Sequence, residues 1–370
     1  MARRIIFLIT DLDLGGSPLV VRRIAHGLNQ TGRWEATVVS IKSPGVVGRW
    51  IRYDGPSVLS LHARRVTEIG IFRRWLRLLR RIRPEIVVSV LIHANALSAA
   101  CAGLGPPCIY FQSIHTLQPE PAWHWQLEGL IAGQCEGIIT PSRAVLNRVA
   151  QFGSYKQGYI IPNGIDINEF KNAQPIPVSE RPWPANARTI GYVGRFDPVK
   201  RLDLLLDEFA QLLMSDYREW RDLYLVLIGY GPEQNRLHKQ SLQLGVSSHV
   251  VFVGPTATPA NWYKTLNLLA ISSIVEGFGL NIIEAMACGT PVVACRSPAI
   301  EEIITHDFNG WLVAPNRPGA LAKGMQTVLQ DQNLREKLIA AASEDVAQRF
   351  STEKMVVLYE KVLLSYQSRQ

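Results

Sequence analysis

Leu268-Leu-Ala-Ile-Ser-Ser-Ile-Val-Glu276-Gly-Phe-Gly-Leu-Asn-Ile-Ile-Glu284-Ala-Met-Ala-Cys-Gly-Thr-Pro291-Val-Val-Ala294 holds a strand, a glycine turn, a helix and a second strand in one stretch. Leu268–Ser272 and Pro291–Ala294 are short apolar runs bounded by turn residues and read as strands; Ile282–Ala287 between them reads as helix. Gly277 and Gly279 permit a tight backbone turn just before that helix. The backbone N–H groups of such a helix start form an anion site suited to a diphosphate. Glu276 and Glu284 flank the site. Their carboxylates can accept hydrogen bonds from sugar or ribose hydroxyls and can stabilise positive charge at a sugar carbon.

The same rhythm runs outward in both directions. In the first half, strands are predicted at Ile5–Thr10, Ala36–Ile41, Ile86–Leu91, Cys108–Gln112, Gly137–Thr140 and Tyr159–Ile161, with amphipathic stretches such as Leu19–Asn29 and Ile71–Ile82 between them. Residues 171–188 interrupt it with Pro175, Pro177, Pro182 and Pro184 and read as an interdomain linker. Strands resume at Thr189–Val193, Tyr224–Ile228 and Val250–Phe252 before reaching the opening stretch, with Leu202–Leu213 a clear helix. Alternating β and α segments imply doubly wound parallel sheets. The expectation is α/β: two Rossmann-like domains facing a central cleft, residues 1–170 and 189–350, joined by the linker 171–188. A C-terminal helix in 351–370 is expected to pack back on the first domain. In open sheets of this kind ligands bind beyond the carboxyl ends of the strands.

The chain has 370 residues, enough for two domains, and 47% hydrophobic residues, ordinary for a globular core. No segment reaches the roughly 18–20 unbroken apolar residues of a membrane span. Arg3-Arg4 followed by Ile5–Thr10 superficially resembles a signal peptide, but the run is too short and lacks a cleavage site, so a first strand is the better reading. The five cysteines, Cys101, Cys108, Cys135, Cys288 and Cys295, have no zinc-type spacing. Reduced, mostly buried thiols in a cytoplasmic protein are expected. The net charge of +8 is one-sided: residues 1–170 hold 19 Lys+Arg against 11 Asp+Glu, and residues 171–370 hold 20 of each. An anionic partner for the first half follows. Its densest source is Ile71-Phe-Arg-Arg-Trp-Leu-Arg-Leu-Leu-Arg-Arg-Ile-Arg83, where positions 71, 72, 75, 78, 79 and 82 form one helical face and Arg73, Arg74, Arg77, Arg80 and Arg81 flank and oppose it. It can be an ordinary helix with a solvated basic face, and the same arginines can meet anionic lipid head groups. Few aromatic residues interleave with the basic run, which argues against nucleic acid.

Five further segments complete a pattern: Gly191-Tyr-Val-Gly-Arg195-Phe-Asp-Pro-Val-Lys200, Leu227-Ile-Gly229-Tyr-Gly-Pro232, Val251-Phe-Val-Gly254, Ile160-Ile-Pro-Asn-Gly-Ile-Asp166, and Glu302-Ile-Ile-Thr-His-Asp-Phe-Asn-Gly310. With Glu276 to Val293 and the last-helix segment Arg349 to Glu360, their order and spacing resemble the retaining glycosyltransferase family four, the glycosyl transferases group one, of GT-B fold. The resemblance covers nearly the whole chain.

It implies a retaining, metal-independent, hexosyltransferase-like enzyme. The sugar would move from a UDP- or GDP-sugar to a hydroxyl of a glycan or lipid-linked acceptor, as in cell-envelope polysaccharide or lipopolysaccharide assembly, at the cytoplasmic face of a membrane. By that resemblance the donor site comprises Gly15, Gly16, Arg195, Lys200, Gly229, Val253, Glu276, Gly277, Phe278, Gly279, Leu280 and Glu284. Arg195 and Lys200, facing the diphosphate, would stabilise the charge it gains as the sugar leaves. Together with Glu276 and His115 they form the expected catalytic set. His115, after a strand end, can bond the sugar or position the acceptor hydroxyl. His93 and Asn95 are placed with His115 on the acceptor side, His93 having a structural role as the alternative. Gly15-Gly16 follows the first strand and leads into a helix starting near Pro18, a residue tolerated in a first turn. No cofactor is expected, and Asp11-Leu12-Asp13 is read as part of that loop rather than a metal site. Pro298 and Ala299 replace frequent glycines, Asn267 a common acid and Asn281 a frequent proline. The competing readings are a dinucleotide-dependent oxidoreductase, for which Gly-x-Gly-x-x-Gly is missing, and a non-catalytic partner subunit, for which the catalytic set is undamaged.

Overall fold

A computed structural model describes residues 2–66 and 68–366 of the chain. They form two compact units. The first runs to Ile165 and takes back the chain from Ser351; the second is Asp166–Phe350.

The first unit is built on β1 (Arg3–Ile9), β2 (Trp34–Ser40), β3 (Ser57–Ser60), β4 (Ile86–Val90), β5 (Ile109–Ser113), β6 (Gly137–Thr140) and β7 (Gly158–Ile160). Their order across the sheet is β3-β2-β1-β4-β5-β6-β7, all parallel. The second unit carries β8 (Arg188–Val193), β9 (Leu223–Ile228), β10 (Val250–Val253), β11 (Leu268–Ile271), β12 (Val292–Cys295) and β13 (Trp311–Val313), in the order β10-β9-β8-β11-β12-β13 and again all parallel. This is the pair of Rossmann-like units of the GT-B fold. Strands β3 and β13 are absent from the sequence reading. Both are edges: of Ser57–Ser60 only Val58 is buried, so β3 makes no apolar run of the kind that a strand covered on both faces does, and β13 is apolar but only three residues long.

Burial explains the rest. Ile5–Ile9 of β1 are inaccessible, and Ile71, Trp75 and Leu79 of the helix Gly70–Ile82 pack in the same core as Ile6, Leu8, Val39 and Val87. Phe72, placed on that apolar face by its spacing, is instead 40% exposed, and Leu78 and Ile82 are partly buried; the face that packs is the narrower 71-75-79 stripe. All five cysteines are free thiols, four of them buried. In the second unit the buried Glu208 accepts the N–H groups of Gly319 (2.7 Å) and Ala322 (2.8 Å), capping the helix Ala320–Gln330 from a neighbouring helix.

Two boundaries differ from expectation. The first unit ends at Ile165 rather than at 170, where Asp166 caps the short helix Ile167–Lys171. Residues 171–188 are no free linker. Trp183 is buried beside Trp262, and the Ile176 N–H donates to Thr265 Oγ1 at 2.8 Å. The prolines exclude regular structure there, but a buried indole holds the segment on the second unit.

After Ser351 the helix Thr352–Leu364 lies against the helix Gly16–Gln30. A Cβ on Gly27 would come within 2.3 Å of Val356, so the approach needs glycine. The buried Glu360 carboxylate receives Arg33 Nε and the Trp34 indole N–H at 2.7 and 2.9 Å, and a second, shorter bond from Arg33 Nη2.

Candidate functional site

Each sheet reverses its direction of winding at one place, between β1 and β4 and between β8 and β11. At such a switch point the connections leave in opposite directions and open a crevice at the strands' carboxyl ends.

In the second unit the crevice is lined from β8 and β9 by glycines. Gly194 and Gly229 have φ of +151° and +140°. A Cβ on Gly229 would lie 1.9 Å from the Gly194 carbonyl oxygen. Beyond Gly194 a 3-10 turn, Pro198–Lys200, carries Lys200 back across the end of the sheet, and Ser272 Oγ at the end of β11 donates to the Lys200 carbonyl at 2.8 Å. Lys200 Nζ then donates to both oxygens of Glu276, each at 2.8 Å. The Glu276 side chain is 7% exposed and that of Lys200 23%. The two predicted catalytic residues, far apart in the chain, therefore meet at the switch point.

Arg195 stands apart from this pair. Its guanidinium is 69% exposed and, among the described residues, reaches Asp197 alone, at 3.3 Å. Its carbonyl accepts from the buried Tyr192 hydroxyl at 3.2 Å, and burial, followed by Glu276 and Asp197, pushes that phenol well above its usual range. The loop thus has a tied backbone and an exposed cation.

Past Glu276, Gly277, Phe278 and Gly279 are buried and Leu280 is half-buried. Gly279, with φ of +114°, begins the helix Leu280–Ala287 with no side-chain cap. Glu284 is buried on that helix, where the Tyr263 hydroxyl donates to its Oε2 at 3.0 Å; burial and Glu284 raise the phenol far above normal, so it stays a donor. Val253 ends the edge strand β10, and its carbonyl accepts from the Gly229 N–H at 3.0 Å.

Two departures from the family pattern have structural work. Asn281 Nδ2 donates to the Val193 carbonyl at 3.1 Å, fixing the end of β8. Asn267 Oδ1 accepts from the Thr189 N–H at 2.8 Å, fixing its start. Sequence reasoning missed Ser272, Tyr263 and Ser273, whose hydroxyl is buried without a partner among the described residues. Serines at a strand end before a glycine turn were the available signal.

In the first unit, the loop after β1 leads to Gly15 in extended conformation (φ −178°) and a helix that begins at Gly16, two residues before Pro18, without a side-chain cap. Its first N–H groups lack an intrahelical partner. The loop Asp11–Asp13 is held by the buried Leu12 and by Gly45, where a Cβ would come 2.5 Å from the Leu12 carbonyl oxygen. Among the described residues no group of three or more His, Cys, Asp or Glu side chains is arranged to hold a metal ion.

His93 follows β4, after Leu91 at the strained φ of +73°. It is half-buried, edge-on to His124, with ring centres 6.3 Å apart. Burial first, then the neighbouring His124 and Lys42, lower its pKa; Asp11 opposes them. His115 follows β5. Its Nε2 lies 2.9 Å from Ser113 Oγ, and the same hydroxyl lies 3.3 Å from the Ile139 carbonyl oxygen, so Ser113 fixes the direction of the ring. Nδ1 is shielded from solvent and has no partner among the described residues. Burial pulls the ring's pKa down to about 4, leaving a neutral imidazole at neutral pH.

Asn95, expected on the acceptor side, is fully buried. Its amide donates to both oxygens of Glu128, at 3.2 and 3.0 Å, and weakly to the Ser113 carbonyl at 3.4 Å. An interior carboxyl group has taken the hydrogen bonds that a ligand would have had.

On the helix Gly70–Ile82, Arg73, Arg77, Arg80 and Arg81 are exposed, while Arg74 is paired with Glu68 at 2.6 Å. Ile69 (82%) and Phe72 stand exposed at its N-terminal end. Among the described residues no helix is long and apolar enough to cross a membrane.

Comparison with known proteins is consistent along the chain. Residues 14–169 match the model of Glycosyltransferase Family 4, and residues 178–345 that of Glycosyl transferases group 1. An uncharacterized glycosyltransferase of Methanocaldococcus jannaschii is 34% identical over 170 residues, covering 45% of this chain and 42% of that one. The D-inositol 3-phosphate glycosyltransferase of Jonesia denitrificans is 33% identical over 222 residues, covering 55% and 51%. The chain spans about half the length of the curated relatives it matches. In three dimensions it resembles Anabaena HepE, solved in complex with UDP and glucose, with a TM-score of 0.87 and 23% identity over 98% of this chain and 100% of that one.

Proposed function

Since the chain belongs to the glycosyl transferases of group 1 that carry the family 4 domain, we propose that it moves a sugar from a UDP- or GDP-sugar to an acceptor hydroxyl, with retention of configuration and without a metal. The observation that carries the reading is Lys200 on Glu276 at the switch point of the second unit. A cation and a carboxylate at one crevice match the two ends of a nucleotide-sugar's reacting bond, a phosphate and a carbon turning cationic.

In this scheme Lys200 leaves Glu276 for the diphosphate and is joined there by the exposed Arg195. As the bond from the anomeric carbon to the β-phosphate oxygen breaks, its electron pair goes to the phosphate, and both cations meet more charge than in the bound donor. Glu276, released, accepts hydrogen bonds from the donor sugar and offsets positive charge at its anomeric carbon. Glu284, held by Tyr263, takes the ribose hydroxyls. The acceptor oxygen bonds the same face of the carbon, and its proton passes to the departing phosphate. His115, at the end of β5 and neutral at neutral pH, bonds the sugar or positions the acceptor hydroxyl and is not a general acid.

We assign the acceptor to a glycan or lipid-linked glycan of the cell envelope, met at a membrane surface through the exposed arginines and through Ile69 and Phe72. Basic residues draw the helix to anionic lipid and apolar ones enter the interface.

The deciding experiment is calorimetric titration with UDP and with GDP, beside Glu284→Ala and Arg195→Ala. UDP comes first because HepE is solved with it. Binding of one nucleotide, lost in both variants, supports the donor site and names the base. No binding of either sinks the assignment. Turnover unchanged in EDTA is expected.

A further inference from the structure

The Glu128 carboxyl group is buried in the first unit and bears no charge partner among the described residues. It sits on the helix Trp123–Ala132, whose buried face also carries Trp125, Ile131 and Ala132. A carboxyl group on an apolar face costs free energy unless hydrogen bonds hold it there. Two amides do so. Asn95 Nδ2, on the helix that follows β4, donates to both oxygens, and Gln112 Nε2, in β5, donates to Oε2 and, at 3.1 Å, to the Glu128 carbonyl. Asn95, Gln112 and Ser113 are inaccessible to solvent. Burial pushes the Glu128 carboxyl up to about 7, against the pull of both amides.

What this carboxyl group fastens is the pair of strand ends that bear the two histidines. Through Asn95 it reaches the Ser113 carbonyl, which also accepts from the Leu91 N–H at 3.3 Å. Leu91 is the residue in strained backbone directly before the His93 turn. Through Gln112 it holds the residue next to Ser113, whose hydroxyl orients His115. The amide oxygens of Asn95 and Gln112 find no partner among the described residues. Two unsatisfied buried acceptors are a cost of turning both amides toward Glu128, and a fold seeking only stability would place an apolar side chain at 128.

We propose that Glu128 is a positioning residue for sugar transfer: by binding Asn95 and Gln112 it sets the ends of β4 and β5 and so the direction and tautomer of His115. The role in transfer rests on the function proposed above; the effect on His115 does not.

The test compares wild type with Glu128→Gln and with the exchange variant Gln112→Glu/Glu128→Gln. In Glu128→Gln a side-chain N–H group faces the two amide donors. In the exchange variant the amide placed at position 128 can accept from Asn95 and donate to the carboxyl group placed at position 112, although the bond to the residue-128 carbonyl is lost. The readouts are the nitrogen NMR spectrum of the His115 ring, kcat and KM for donor and acceptor, and nucleotide binding by calorimetry. Glu128→Gln should mix the His115 tautomers and lower kcat by about tenfold to a hundredfold, with nucleotide binding unchanged. The exchange variant should return the single tautomer and bring kcat to within about threefold of wild type. A Glu128→Gln protein with an unchanged His115 spectrum and kcat overturns the proposal. So does failure of both variants to fold, which would make Glu128 a stability residue only. If Glu128→Gln alone fails to fold, the exchange variant decides by the same spectrum. If the wild type transfers no sugar, the function proposed above fails, while the His115 spectra still decide whether Glu128 orients the ring.

Discussion

Replacing Lys200 by methionine tests how the second unit holds its site before substrate arrives. The wild-type ammonium lies 2.8 Å from each oxygen of a carboxylate that is 7% exposed. Removing one member of a buried pair leaves the other charged and unpaired, at about 3–5 kcal/mol. Lys200 keeps 23% of its side chain in water, so the low end applies, about 3 kcal/mol. For a unit of this size that is a fall in Tm of about 6–12 °C. Glu276→Gln in the same protein removes the stranded charge. The double variant should therefore recover most of the loss, ending within about 1 kcal/mol of wild type, so the two changes are strongly non-additive. Activity should behave in the opposite way. Lys200→Met loses a contact made most strongly in the transition state, about 2.7–4 kcal/mol or a hundredfold to a thousandfold in kcat, and Glu276→Gln cannot restore it. The assays are thermal unfolding and steady-state transfer on the four proteins of the cycle. Additive stabilities, or a double variant as active as wild type, would refute the reasoning.

Other consequences follow from the same geometry. Gly229→Ala forces a Cβ to 1.9 Å from the Gly194 oxygen at a φ of +140°, and should cost more than about 2 kcal/mol and abolish nucleotide binding in calorimetry. Gly15→Ala meets nothing nearer than Pro18 at 3.7 Å in extended backbone; unfolding should leave its Tm unchanged, and a large fall in turnover would show that a ligand comes close to this loop. His115 has a folded pKa of about 4, below its unfolded value, so its contribution is present above pH ~6.5 and lost as pH falls through 4, by up to about 3 kcal/mol. Glu128, raised to about 7, works oppositely, its contribution present below pH ~4.3 and lost as pH rises through 7. Urea titrations should therefore find His115→Gln losing less stability than wild type between pH 6.5 and 4. Neutralising Arg77, Arg80 and Arg81 to glutamine should weaken cosedimentation with anionic vesicles by about 150-fold at low salt, at about 1 kcal/mol per arginine, without changing nucleotide binding.

The sequence made some of this readable and hid the rest for physical reasons. Central strands such as Ile5–Ile9 and Leu225–Ile228 are covered on both faces and appear as unbroken apolar runs. Edge strands such as Ser57–Ser60 need not be apolar and left no run. Glu276 and Lys200 could be named, since glycines and charges cluster at their turns, but their contact depends on a crossover connection that no local spacing encodes. Asn95 misled because position in the chain does not say which way an amide turns. Glu128 has no motif around it, although its place three residues after Trp125 and three before Ile131, on the face that packs, is the mark of a buried carboxyl group. Asn267 and Asn281 read as departures and proved to be ties to the two ends of β8.

The return of the chain from Ser351 to the first unit has a bearing on biosynthesis. Asp166–Phe350 is continuous and is synthesised before the helix Thr352–Leu364. Until that helix emerges, the Trp34 indole and Arg33 have no carboxylate to bind, and the face around Gly27 lacks Val356. The unit translated first is thus the one completed last, and during synthesis it is the half of the molecule that presents unfinished apolar surface to chaperones.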